Sequence, residues 1–256
     1  MAYKFLIALF VIFNAQCVCA EEMCATCHAD KIHYKSIGSC IVCHNGNGNT
    51  SRIKLAHENI LDKRYAFFLI KDNWRVFKGN LLIKDAACKR CHTIGDSGNF
   101  LATNLNISTQ EKDIKTLTNA IKNPFLYMPQ FNFTKEQIVY IINGLLYNAF
   151  YNKSHTGGYI TVHFDINGER KNIFTSKCGK CHKVILKQIG PLGEGEKGPN
   201  LSGLFTNEYR SLQEVEGWNK KTFKKWLKNP RDIKKNALMP VIKLKSEELE
   251  EIIRNF

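Results

Sequence analysis

The residues of this 256-residue chain that can do chemistry are cysteines and histidines, and they recur in one frame, Cys-x-x-Cys-His. The frame occurs four times and uses every cysteine after residue 20. Two thiols and an imidazole at this spacing suit a disulfide framework, a zinc site or covalent attachment of haem. The frame thiols are Cys24 and Cys27, Cys40 and Cys43, Cys88 and Cys91, and Cys178 and Cys181, and the frame histidines are His28, His44, His92 and His182.

Covalent haem explains more of the frame than the two alternatives do. A disulfide framework does not require a histidine after every second cysteine. Zinc sites built from two Cys-x-x-Cys pairs would leave the four histidines unexplained. In a helical turn, residues three apart share a face, so both thiols can reach the vinyl groups of one porphyrin while the adjacent imidazole binds the iron. The sequence therefore predicts four covalently bound haem c groups, each with a frame histidine as an iron ligand.

Each iron needs a second axial ligand, and histidines outside the frames can supply two of them. His33 follows the first frame by five residues, and His57 follows the second frame by thirteen. Two haems with bis-histidine ligation in this part of the chain are the simplest interpretation, with surface histidines as the alternative.

After residue 60 the chain repeats one pattern: a helix that ends at Asn-Pro, a Met-Pro loop and a closing helix. The residue before a proline disfavours the helical conformation, so proline ends the preceding helix and holds each methionine extended. An extended methionine can reach across a haem face, although methionine also fills gaps in protein cores. The first copy comprises Asn123, Pro124, Met128, Pro129 and a helix from about Lys135 to Tyr147, and the second comprises Asn229, Pro230, Met239, Pro240 and a helix from about Glu247 to Asn255.

Met128 and Met239 are therefore predicted as the second axial ligands of the third and fourth haems. His155 and His163 lie between the third and fourth frames and are interpreted as ordinary residues, although either could displace Met128. Helix-start patterns support both closing helices, because Thr134 and Gln137 form a capping box and Ser246 precedes two glutamates.

Both copies resemble class I cytochrome c domains, which have a helix, the Cys-x-x-Cys-His frame, a Gly-Pro-x-Leu loop, a helix ending at Asn-Pro, a Met-Pro loop and a C-terminal helix. The second copy has the whole pattern, including Gly198, Pro199, Asn200 and Leu201. The first copy has 36 residues from His92 to Met128 against 57 from His182 to Met239. Its Gly-Pro loop is replaced by Ala102, Thr103, Asn104 and Leu105.

The uneven spacing of the frames predicts three segments within a mainly α fold. Residues 21–60 hold two frames in about 40 residues, too few to bury a protein core, so the porphyrins must supply most of the apolar interior. This small, loop-rich dihaem segment resembles compact multihaem cytochromes c, in which short loops return histidine ligands to closely packed haems. Residues 61–152 and 156–256 are predicted as helical, class I cytochrome c-like domains with one haem each.

The first twenty residues predict export. Lys4 precedes an apolar run from Phe5 to Phe13, and Val18, Cys19 and Ala20 precede the acidic residue 21. This order is typical of a secretory signal peptide cleaved after Ala20, with an uncleaved membrane anchor as the alternative. We therefore expect a soluble periplasmic protein, and the cytochrome resemblance implies haem attachment outside the cytoplasm.

The net charge of +14 suggests an acidic partner. Export argues against nucleic acid. If residues 220–228 form a helix, Lys221, Lys224, Lys225 and Lys228 share one face, opposite Phe223. This face is either a solvated helix surface or a docking patch for an acidic redox protein. A membrane quinol-oxidising complex is a possible partner.

The predicted ligands fill both axial positions of every iron, as in electron carriers, whereas haem enzymes keep one position open. The first functional hypothesis is therefore a periplasmic tetrahaem cytochrome that transfers electrons between respiratory redox partners and is not itself an enzyme. Methionine ligation raises the reduction potential, so low-potential bis-histidine haems would feed the His/Met haems. The alternative is a haem enzyme of the peroxidase or oxyanion type, or a sensor, with an open iron in the middle domain.

Overall fold

The computed structural model describes residues 23–28, 39–151, 172–209 and 217–256. The predicted signal peptide, His33, His155 and His163 lie outside the described residues. The chain divides into two units, Met1–Ile60 and Leu61–Phe256, called here the N-terminal and C-terminal units. The fold is mainly α, as predicted.

The N-terminal unit consists of short helices joined by loops: α1 (Met23–Cys27), α2 (Cys40–His44) and α3 (Ile53–Ala56). The backbone N–H of Met23 donates to the carbonyl of Gly48 at 2.9 Å, and that of Asn47 donates to the carbonyl of Ala56 at 3.0 Å. None of the described hydrophobic side chains of this unit is buried. This agrees with the expectation that so short a segment cannot build a protein core.

The C-terminal unit begins with a middle segment, residues 61–151, that carries the third frame. A β-hairpin follows the frame, with Thr93 opposite Gly98 and Ile94 opposite Ser97. The elements are a 3₁₀ helix (Lys63–Leu69), α4 (Trp74–Asp85), a 3₁₀ turn (Cys88–Arg90), β1 (Thr93–Ile94), β2 (Ser97–Gly98), α5 (Leu105–Glu111), α6 (Ile114–Lys122) and α7 (Lys135–Tyr151).

The last segment, residues 172–256, carries the fourth frame and follows the same order. Its hairpin is longer, with Val184 opposite Leu192 and Leu186 opposite Gly190. The elements are α8 (Ile173–Lys177), β3 (Val184–Leu186), β4 (Gly190–Leu192), α9 (Lys220–Lys228), a 3₁₀ turn (Pro230–Asp232) and α10 (Ser246–Asn255).

Local sequence rules account for most helix ends. The Thr134–Gln137 capping box forms, with the Thr134 N–H donating to the Gln137 side chain at 2.9 Å and the Gln137 N–H donating to the Thr134 hydroxyl at 3.2 Å. Helices α6 and α9 end one residue before the two Asn-Pro pairs, as predicted. Two bounds differ: α7 runs on to Tyr151 rather than Tyr147, and Ser246 is the first helical residue of α10. There the Glu248 carboxylate accepts from the Lys245 N–H at 2.8 Å.

The middle segment is held together by a close crossing of α4 and α7 at two glycines. A Cβ on Gly79 would overlap the carbonyl oxygen of Tyr140, and a Cβ on Gly144 would meet the backbone of Gly79 at 3.1 Å. Next to the crossing, the fully buried Asn143 donates to the Arg64 carbonyl at 2.8 Å and accepts from the Phe67 N–H at 3.1 Å. These contacts fix the helix that precedes the third frame.

The last segment has its own hydrophobic core between α9, α10 and the loop before α9. Phe223 and Leu227 on α9 pack against Leu249, Ile252 and Ile253 on α10. The ring of Phe256 lies 5.0 Å from that of Phe223 and 6.1 Å from that of Phe174 in α8. The C-terminal helix is thereby fastened to the helix that precedes the fourth frame.

Within the described residues, none of the helices combines the length and apolar character needed to cross a membrane.

Replacing Gly79 by alanine is expected to lower the free energy of unfolding by about 1–3 kcal/mol, because the added methyl group overpacks the helix crossing. This cost outweighs the roughly 1 kcal/mol by which alanine is more favourable than glycine in a helix. Denaturant unfolding of the full chain, followed by circular dichroism, measures the change. Gly144→Ala should cost less, because its added Cβ meets neighbours at 3.1–3.2 Å rather than overlapping them. The exposed Lys84→Ala is the control, and a Gly79→Ala protein as stable as this control would contradict the close crossing.

Candidate cofactor sites

Each frame is wound into a helical turn, as haem attachment requires. The backbone N–H of the histidine donates to the carbonyl of the first cysteine in three frames, at 2.9 Å for His28, 3.0 Å for His92 and 2.9 Å for His182. The second frame forms the whole of α2. The two thiols and the imidazole of each frame therefore lie along one turn.

None of the eight frame cysteines forms a disulfide, and no group of three or more His, Cys, Asp or Glu side chains is arranged around a metal position in the described ranges. Burial raises the pKa of Cys88 and of Cys178 to about 11, and it also raises the pKa of Cys91 and of Cys43. Burial therefore disfavours the thiolate form of these four thiols.

The histidines of the third and fourth frames are oriented in the same way. The Nδ1 of His92 lies 2.8 Å from the carbonyl of Thr103, and the Nδ1 of His182 lies 2.8 Å from the carbonyl of Pro199. A carbonyl oxygen can only accept a hydrogen bond, so Nδ1 must carry the proton and donate the hydrogen bond. The lone pair of Nε2 is then available to bind a metal. Desolvation lowers the pKa of His92 against the opposing effect of this hydrogen bond, so the imidazole is neutral, as a ligand must be.

The loops that supply these carbonyls match position by position. Ala102 donates its N–H to the Cys91 carbonyl at 2.9 Å, as Gly198 does to the Cys181 carbonyl at 2.8 Å. A Cβ on Gly198 would overlap the His182 ring, so glycine is needed there. Although the third frame lacks the Gly-Pro pair, the loop around its histidine is retained.

The two Met-Pro loops place their methionines in half-buried positions. The Met239 sulfur accepts a hydrogen bond from the Trp226 indole at 3.0 Å, and Met239 packs against the core of the last segment. Met128 follows a turn in which Leu126 adopts a left-handed conformation, with φ of 56°, and its N–H donates to the Phe125 carbonyl at 3.3 Å.

In the N-terminal unit, His57 lies beside the histidine of the first frame, although it follows the second frame in sequence. The ring centres of His28 and His57 are 6.0 Å apart, and the ring planes are tilted by 40°. His44, in the second frame, ends α2.

Large exposed hydrophobic side chains flank the candidate ligands and fit an apolar cofactor. Leu238, next to Met239, is 97% exposed, and Phe125, near Met128, is 79% exposed. Ile53, in the helix before His57, is 72% exposed. Single exposed apolar side chains are common on protein surfaces, but a porphyrin is an apolar group large enough to cover these three. Together with the oriented imidazoles of His92 and His182, they form a donor set and surroundings that fit haem.

Residues 169–254 match the family model of cytochrome c. This part of the chain is similar to cytochrome c and is called the cytochrome c domain below, after the family that it resembles. It contains the fourth frame, the Pro199 carbonyl, Trp226 and Met239. The match supports a c-type cytochrome with covalently bound haem c that serves in electron transfer. No curated protein and no solved structure matches the chain.

The sequence did not reveal three residues that shape these sites. Thr103 acts through its backbone carbonyl, which gives no side-chain pattern. Trp226 was visible only as an apolar position of α9, and its indole contact with Met239 depends on the fold of the loop after α9. Asn200 belongs to the recognised loop, but its side chain reaches the middle segment.

Replacing Trp226 by phenylalanine is expected to lower the reduction potential of the haem in the cytochrome c domain. The indole N–H draws electron density from the Met239 sulfur, so its loss would make this predicted ligand a better donor to oxidised iron. Potentiometric titration of the holoprotein measures the shift. Trp218→Phe removes a neighbouring indole whose ring centre is 5.4 Å from that of Trp226, and it should leave the potential near the parent value. An equal drop in both variants would rule out the hydrogen bond as the cause.

Proposed function

We propose that the chain is a periplasmic tetrahaem c-type cytochrome that transfers electrons between respiratory redox partners. The observation that carries this proposal is the repetition, at His92, of the histidine support found at His182 in the cytochrome c domain. Both imidazoles donate to a loop carbonyl at 2.8 Å. The middle segment lies outside the residues that match the cytochrome c family model. Its frame histidine is nevertheless oriented for an iron by the same kind of hydrogen bond.

The N-terminal unit supports bis-histidine ligation. An imidazole nitrogen lies about 2 Å from a bound metal and its ring centre roughly 1 Å farther, so imidazoles on opposite sides of one iron have ring centres about 6 Å apart. The 6.0 Å between the rings of His28 and His57 agrees with this spacing. His57 is therefore proposed as the second ligand of the first haem, which leaves His33 for the second.

Filled axial positions favour a carrier over an enzyme. Haem, when bound, supplies an iron that gains or loses one electron. His28, His44, His92 and His182 would hold one side of the four irons, and His33, His57, Met128 and Met239 would hold the other. Histidine pairs give lower potentials than His/Met pairs, so electrons would pass from the N-terminal unit towards the cytochrome c domain.

Haem content per chain and the visible and near-infrared spectrum of the oxidised holoprotein test the proposal. We expect four haems, all low-spin, in two classes with bis-histidine and His/Met ligation. Fewer than four haems would refute the tetrahaem state. A high-spin fraction in the native protein would favour the haem enzyme or sensor with an open iron.

His57→Ala is expected to convert one bis-histidine haem into a high-spin haem that binds added imidazole, because the iron loses its second ligand. Electron paramagnetic resonance of the oxidised full chain measures the change. His155→Ala and His163→Ala are matched controls and should leave all haems low-spin. A His57→Ala protein with an unchanged low-spin spectrum would eliminate His57 as a ligand.

The proposed partner is a redox protein with an acidic docking surface, such as part of a membrane quinol-oxidising complex, and nucleic acid is not expected. Helix α9 carries the candidate patch, with Phe223 and Leu227 buried and Lys221, Lys225 and Lys228 exposed. Lys224 pairs with Glu250 on α10, so it contributes less to the field of this patch. Weak, charge-guided contacts suit electron transfer because the complex must separate quickly.

Charge reversal by Lys221→Glu with Lys225→Glu is expected to slow oxidation of the reduced holoprotein by ferricyanide several-fold at low ionic strength. The anionic oxidant is drawn to the patch, and the effect should vanish near ~1 M salt, where the Debye length is about 3 Å. Stopped-flow spectroscopy over a salt series measures the rates. Lys112→Glu with Lys115→Glu gives the same change in net charge elsewhere, and equal slowing by both pairs would exclude a specific patch.

A further inference from the structure

The middle segment and the cytochrome c domain contact each other through the third frame, within the C-terminal unit. The Arg90 guanidinium lies 5.0 Å from the centre of the Tyr209 ring. The Ser202 hydroxyl is near enough to the Cys91 thiol to lower its pKa, against burial, which raises it. A Cβ on Gly203, which has φ of +68°, would meet the Arg90 carbonyl oxygen at 2.6 Å, so the two backbones are in contact there. One loop of the cytochrome c domain, residues 193–209, thus packs against the neighbouring haem-binding frame.

Asn200 is the residue of this loop that reaches the predicted ligand loop of the middle segment. Its Nδ2 donates to the Tyr127 carbonyl at 2.8 Å, and its Oδ1 accepts from the Ser202 N–H at 2.9 Å. Its own carbonyl accepts from the Tyr209 hydroxyl at 3.2 Å. With these hydrogen bonds on both ends of its side chain, Asn200 has a fixed orientation.

Tyr127, which precedes Met128, is held at a second point. Its hydroxyl donates to the Gly193 carbonyl at 2.7 Å. Tyr127 therefore bonds the cytochrome c domain twice, through its side-chain hydroxyl and through its backbone carbonyl. These two hydrogen bonds attach the loop of Met128 to that domain. The methionine of the cytochrome c domain is held differently, because Trp226 of the same domain bonds Met239.

Asn200 is also adjacent to Pro199, whose carbonyl accepts from His182. The connection from His182 through Pro199, Asn200 and Tyr127 to Met128 is continuous, made only of covalent bonds and two hydrogen bonds of 2.8 Å. A residue in the loop that orients one iron ligand thus fixes the backbone next to another predicted ligand.

We propose that Asn200 is a positioning residue for Met128, so that the cytochrome c domain completes the axial ligation of the haem in the middle segment. The inference rests on the proposed function, because it takes Met128 as an iron ligand. The middle segment has the shorter copy of the pattern. The loop that carries Met128 is held by contacts with the cytochrome c domain.

The test uses Asn200→Asp in the full-length holoprotein. This variant keeps the Oδ1 acceptor for the Ser202 N–H but replaces the amide donor, so a carboxylate oxygen faces the Tyr127 carbonyl and repels it. The readout is the charge-transfer band of methionine-ligated oxidised haem. In a Met239→His background the band reports Met128 alone, and in a Met128→His background it reports Met239 alone.

We expect Asn200→Asp to remove or weaken the band in the Met239→His background and to leave it intact in the Met128→His background. Asn207→Asp, the same substitution at an exposed position of the same loop, should retain the band in the Met239→His background. Retention of both bands would overturn the inference. Loss of both would also overturn it, because the substitution would then disturb the two segments in general, and loss of the Met239 band alone would overturn it because Asn200 would then act only within its own domain. A Met239→His protein with no band before any change at Asn200 would instead refute Met128 as a ligand, and the proposed ligation with it.

Discussion

The hydrogen bond from a frame histidine to a loop carbonyl is the interaction on which both sites of the C-terminal unit depend. It fixes the tautomer and the direction of the ring, and it requires the chain to return over the imidazole shortly after the frame. The hairpin after each frame provides that return. Buried polar side chains brace it: Asn106 bonds the backbone of Gly95 in the middle segment, and Ser202 accepts from the Ile185 N–H in the cytochrome c domain.

The proposed methionine ligands, Met128 and Met239, are subject to a different constraint, because each lies on a loop far from its frame in sequence. A loop keeps a ligand in place only if other elements hold it, since an unsupported loop has many conformations of similar free energy. The cytochrome c domain provides this support internally, through Trp226 and the core between α9 and α10. The middle segment is shorter, and the loop that carries its proposed ligand Met128 is held by Gly193 and Asn200 of the neighbouring domain.

The sequence predicted the features that depend on local order. The frames wind into turns, the Asn-Pro pairs follow helix ends, and the Thr134 capping box forms, because each involves residues within a few positions of one another. Contacts between distant residues were not predictable in the same way. Nothing in the spacing of His57 indicated that its ring would lie beside His28 rather than beside the frame it follows. The third frame has no Gly-Pro pair to mark its loop, and Thr103 acts through its backbone carbonyl. The sequence therefore did not indicate the hydrogen bond between His92 and Thr103 that the fold forms.

The two units differ in what stabilises them. The C-terminal unit buries side chains such as Ile94, Ile142 and Ile252 and so has a protein core of its own. The described part of the N-terminal unit buries no hydrophobic side chain, and its short helices are joined by few backbone hydrogen bonds. Helices of four or five residues are unstable alone, because ordering the first turn costs more free energy than its hydrogen bonds contribute. In the proposed bis-histidine site, an iron held between His28 and His57 would therefore stabilise the fold of this unit as well as carry its electron.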